Sequence, residues 1–138
     1  MEDNREAALT LVLEMDPSVD GVLLLNAWND CSCSFLPRGL DFFVVDTAVM
    51  CGVPATLRWL RLALRIPENA ALSVTVQAAA RQPVRPVILD LESYRKRGLR
   101  SKPGWVEHHT KWVNRTIRAR KRACAMVREA LAGAQAPS

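Results

Sequence analysis

The sequence predicts an α+β fold: a small sheet of about four short strands covered by helices, with a long basic amphipathic helix at the C-terminal end. Three observations lead there. Short apolar runs rich in β-branched and aromatic residues alternate with stretches of helical period. Proline, glycine, asparagine and aspartate punctuate the boundaries. From residue 105 to about 133, apolar side chains return every three or four positions, the period of a helix.

In chain order, residues 3–15 read as a short helix capped by Asp3 or Asn4, with Ala8, Leu9, Val12 and Leu13 on its apolar side. Asp16 and Pro17 end it. Residues 21–28 (GVLLLNAW) form a compact apolar run that suits a buried strand or a helical turn, with the strand favoured, and 31–39 a loop holding Pro37 and Gly39. Residues 41–50 (DFFVVDTAVM) carry strand-forming side chains. Pro54 opens a helix in which Leu57, Leu60 and Leu64 recur, closed by Pro67. Residues 71–77 (ALSVTVQ) alternate as a half-buried strand does, and 87–91 (VILDL) read as a short buried one beyond a turn at 81–86. Residues 94–104 read as a basic, glycine-punctuated loop leading into the long helix.

One domain of 138 residues is expected, with a body at 1–91, a basic loop and helix at 92–133 and a disordered tail at 134–138. Charge divides along the same line. From Glu92 onward twelve Lys and Arg face three Asp and Glu, a balance of +9, whereas residues 1–91 carry −4. Such asymmetry points to a polyanion-binding end.

The long helix shows how. Its apolar stripe runs through Trp105, His109, Trp112, Val113, Ile117, Cys124, Val127 and Leu131. Pro103 stands before it and Gly133 at its expected stop. His108, Lys111, Arg115, Arg118 and Arg122 line the other side, and Glu107 is the only carboxylate between Lys102 and Arg128. A solvated helix normally alternates Glu with Lys; like charges left unquenched at that spacing suit a phosphate backbone. Candidate nucleic-acid contacts are therefore Arg95, Lys96, Arg97, Arg100, Lys102, His108, Lys111, Arg115, Arg118, Lys121 and Arg122. Trp105 and Tyr94 are candidate base-stacking residues. Asn114 is the lone side chain of base-reading type on that face, so duplex RNA or DNA is favoured over a specific operator. A homodimer would extend the footprint.

Two other readings use the same residues. The basic helix would dock on an acidic protein partner, with residues 118–122 (RARKR) as a nuclear import signal. Separately, Ala48, Gly52, Val53, Thr56, Leu57, Arg58 and Trp59, followed by Pro67, resemble the helix-turn-helix of MerR-type regulators. The resemblance covers about twenty residues, and its threonine-leucine-arginine-aromatic run begins one residue early. It implies that Arg58 and Arg61 lie on a helix able to enter a major groove. The other reading of that segment is a strand followed by a core helix.

No catalytic set is expected. Asp41, Asp46, Asp90 and Glu92 are the acids that could gather at strand ends, and nothing in their spacing requires it. Cys31 and Cys33 form a CxC without a second ligand pair, so no metal and no cofactor is expected. The sequence opens on Glu2 and Asp3, unlike a secretory signal, and holds no apolar run of the ~20 residues that cross a bilayer. A cytoplasmic or nuclear protein, neither secreted nor membrane-bound, is expected.

Overall fold

The computed structural model describes residues 2–135. Seven α-helices and one 3-10 turn account for its regular structure, and no strand occurs among the described residues. The helices are α1 (Glu2–Met15), α2 (Gly21–Asp30), α3 (Leu40–Cys51), α4 (Val53–Ala63), α5 (Leu72–Arg81), α6 (Val84–Leu99) and α7 (Trp105–Gln135). The expected sheet is absent. Residues 21–28, 41–50, 72–77 of the run 71–77, and 87–91, each read as a strand, lie in α2, α3, α5 and α6.

The physical reason is clearest in α3. A short continuous apolar run fits a buried strand and a buried helix equally well, and periodicity alone does not separate them. Every residue from Leu40 to Ala48 is buried, as a helix at the centre of a bundle requires. α3 packs against α1, α2, α4, α6 and α7. From the expected strand at 87–91 onward, the buried positions Val87, Ile88, Leu91, Glu92, Arg95 and Leu99 follow in steps of one, three and four. That is one face of a helix, and it carries α6 into the stretch expected as a loop.

Local chemistry sets the boundaries. Asp20 caps α2, its Oδ1 accepting the backbone N–H of Val22 at 2.8 Å and of Leu23 at 3.2 Å. Gly39 (φ +96°) precedes α3, and a Cβ there would lie 2.6 Å from the Ala123 carbonyl oxygen, so glycine lets α7 approach closely. Gly98 does the same on α6, where a Cβ would meet the Trp59 ring. α7 runs past Gly133, its expected stop, because an exposed glycine flanked by alanines only weakens a helix. The expected tail is thus helical through Gln135, and 136–138 lie outside the described residues.

Asp41 is 2 % exposed in the first turn of α3 and accepts backbone N–H groups of Gly39 at 2.9 Å and Phe42 at 2.6 Å. Burial outweighs both and pushes its carboxyl up to about 6. A folded-state pKa above the unfolded one means a contribution present below about pH 4 and lost as pH rises through 6. Asp41→Asn removes that loss. In urea titrations, the variant should gain about 2 kcal/mol on the parent between pH 4 and pH 7; a pH-independent difference would contradict the assignment.

Candidate functional site

Asp46 stands alone among apolar neighbours on α3 and is fully buried. A carboxylate placed there needs partners, because desolvating an unpaired charge is prohibitive. Two arginines supply them. Arg95 of α6, also fully buried, sets Nη1 2.9 Å from Asp46 Oδ2 and donates to Thr47 Oγ1 at 3.1 Å. Its Nη2 reaches the Met50 sulfur at 2.6 Å, and its guanidinium lies 5.4 Å from the Phe43 ring centre. Arg115 of α7 donates from Nη2 to Asp46 Oδ1 at 2.7 Å and from Nη1 to Asp16 Oδ2 at 2.8 Å. The Ser18 hydroxyl and then Arg115 hold the Asp16 carboxyl below its ordinary range. Four charges that sum to zero join α3, α6, α7 and the α1–α2 loop.

The basic residues predicted to line one interface therefore divide. Arg95 and Arg115 are buried in this network, and Arg120 donates from Nε to Glu92 Oε2 at 3.0 Å. Lys96 lies 3.6 Å from the same carboxylate. Lys102 caps the end of α3, its Nζ donating to the Met50 carbonyl at 2.5 Å and lying 5.0 Å from the Trp112 ring centre. Arg97, Arg100, Lys111, Arg118, Lys121 and Arg122 are exposed, and none of them is paired with a carboxylate among the described residues.

The turn of the helix explains the division within α7. At about 100° per residue, Arg115 stands some 40° from Lys111, toward the buried Ala119. Lys111, Arg118 and Arg122 lie farther out. The core-facing stripe is Thr116, Ala119, Ala123, Cys124, Met126 and Val127. Leu131, expected on it, is 59 % exposed. Small residues form this stripe because α3 and its glycine turn press close.

The aromatic candidates cluster where α7 begins. Trp105 and Trp112 are half-buried, with ring centres 6.4 Å apart, and His109 lies 5.4 Å from Trp105. His109, expected to be packed, is exposed and hydrogen-bonds the Val106 carbonyl through Nδ1 at 3.1 Å. His108 is exposed with its ring 5.7 Å from Trp112. Tyr94 is half-buried under the Arg97 guanidinium, 5.5 Å away. Grooves flank this end of α7. One is lined by Lys96, Arg100, Trp105, His109 and Asn114, another by Lys102, Lys111, Trp112, Arg115 and Arg118.

The segment resembling a helix-turn-helix is two helices, with only Gly52 between α3 and α4. Its first helix is enclosed and Trp59 is packed against Gly98. Arg58 is exposed, whereas Arg61 donates to Thr75 Oγ1 at 3.1 Å and to the Glu68 carbonyl at 3.2 Å. Cys31 and Cys33 are buried. A hydrogen bond from Cys33 draws the Cys31 thiol down, and burial pushes the Cys33 thiol well up. No cluster of three His, Cys, Asp or Glu able to hold a metal occurs among the described residues. No described helix is long and apolar enough to cross a membrane.

The fold resembles that of Brucella abortus SagA. That solved structure superposes with a TM-score of 0.66 at 23 % sequence identity, over 72 % of this chain and 58 % of SagA. The chain therefore spans little more than half of SagA, and the likeness concerns the helical fold alone. No protein-family model and no curated protein matches the sequence.

Asp46, Asp16, Thr47 and Met50 were absent from the predicted site. The one available signal was an aspartate inside an apolar run, a position that demands a cationic partner. Asp46→Ala leaves two buried guanidinium groups short of a counter-charge. It should lower stability by about 3–5 kcal/mol in urea denaturation; a loss under about 1 kcal/mol would contradict the hub.

Proposed function

We propose that the chain binds nucleic acid by its phosphate backbone, with duplex RNA or DNA favoured and little dependence on sequence. The observation that carries this reading is the exposed edge of α7, where Lys111, Arg118, Lys121 and Arg122 have no carboxylate partner among the described residues. From Lys111 to Arg122 the helix rises about 16 Å, the axial length of roughly five phosphates of one strand. Arg100, exposed at the end of α6, borders the groove that Asn114 lines on α7 and adds positive charge there. Asn114 is exposed among the cations, and the rest of the face offers guanidinium and ammonium groups that grip phosphate without reading bases.

Arg95 and Arg115 are not part of the contact surface in this reading. Their guanidinium groups tie α6 and α7 to Asp46 of α3. The protein acts by binding, without catalysis, in the cytoplasm or nucleus, and a symmetric dimer would double the footprint.

Titration of unrelated duplexes at increasing salt tests this. The slope of log K against log salt should be steep, and replacing Lys111, Arg118, Lys121 and Arg122 by Gln should reduce it by about 3–4. No binding at ~50 mM salt, or an unchanged slope, would overturn the proposal and turn attention to an acidic protein partner.

A further inference from the structure

The groove beside Lys111 and Arg118 differs from the open edge it adjoins. It is a cleft of about 630 Å³ between α7, the end of α3 and the α1–α2 loop. That volume lies within the range of small-molecule sites. Its chemistry is divided. Lys102, Lys111 and Arg118 bring positive charge from one side, and Arg115 is already neutralised within the Asp46 network. Met15, Val19, Leu23, Val49 and Met50 give it an apolar wall, and Trp112 adds half-buried aromatic surface. Asp16, paired with Arg115 at 2.8 Å, and Asp20 bring carboxylates from the α1–α2 loop.

Each part selects something. Cations at one end call for a compact anion. An aromatic and apolar wall calls for a flat ring. Asp20 engages Oδ1 in capping α2, and a carboxylate retains further acceptor sites for hydroxyl hydrogens. The carboxylates also repel a second phosphate, so a continuous backbone fits this cleft poorly.

We propose that the cleft binds one nucleoside monophosphate unit, free or as the phosphorylated end of a strand. Lys111 and Arg118 take the phosphate, with Lys102 behind them. The base lies along Trp112 and the apolar wall, and Asp20 accepts sugar hydroxyls. This deepens the nucleic-acid reading by adding recognition of an end to recognition of a backbone.

The full chain is titrated with adenosine monophosphate, inorganic phosphate, and one single-stranded oligonucleotide with or without a 5′-phosphate. Binding is followed by tryptophan fluorescence and calorimetry. Adenosine monophosphate should bind at about 1 mM or below and more tightly than inorganic phosphate, and the phosphorylated oligonucleotide should be preferred about tenfold. Leu23→Glu places a negative charge on the cleft wall at a 54 % exposed position in the first turn of α2, where acids suit the helix. It should weaken the nucleotide about tenfold and leave the duplex salt slope unchanged. Nucleotide binding no tighter than inorganic phosphate, or an unaffected Leu23→Glu variant, would each overturn the cleft assignment while the backbone reading stands, and equal binding of both oligonucleotides would overturn the strand end as its occupant. Nucleotide binding without any duplex binding would support the cleft and remove the backbone reading.

Discussion

A carboxylate with no access to water governs this molecule. Asp46 sits on the one helix that touches most of the others, and its charge is tolerable only while Arg95 and Arg115 remain beside it. Each arginine arrives from a different helix. The interaction therefore fixes where α6 and α7 lie relative to α3, and through Asp16 it also fixes the turn after α1. Apolar packing stabilises the bundle, and the ion network ties three of its helices to one buried point. Gly39 allows the close approach of α7 to the start of α3.

The same network decides what remains for binding. A basic segment has two destinations for its cations, and α7 uses both. The side of the helix nearest the core delivers Arg115 to Asp46, and the neighbouring edge leaves Lys111, Arg118 and Arg122 to solvent. Lys102 belongs to both roles, since it caps α3 and borders the cleft. The row that meets the core and the row left to solvent are thus neighbours on one helix.

The long C-terminal helix and its excess of cations were legible in the sequence, because 3.6-residue periodicity survives over many turns. The sheet was not there to be found. Segments such as residues 41–50 are short and apolar on all sides, and their β-branched residues favour strands only when tertiary packing is ignored. Within α7 the sequence marked Cys124 and Val127 on the buried stripe, but Thr116, Ala119 and Ala123 went unseen because they are small and carry no strong apolar mark. The roles of Arg95 and Arg115 were hidden for another reason. Their partners lie 49 and 69 residues away along the chain, and charge counting by segment cannot show which cation meets which acid. The lone aspartate in FFVVDTAV was the residue from which that pairing could have been suspected.

The division of cations into inner and outer sets is tested most directly by comparing the stability of Arg115→Met with that of Arg118→Met in chemical denaturation. Arg115→Met should lose about 2–3 kcal/mol, because Asp46 and Asp16 give up charged hydrogen bonds. Arg118→Met should stay within about 0.5 kcal/mol of the parent, as an exposed and unpaired residue does. Equal effects in the two variants would show that the buried network does not organise the helix, and the account built on it would fail.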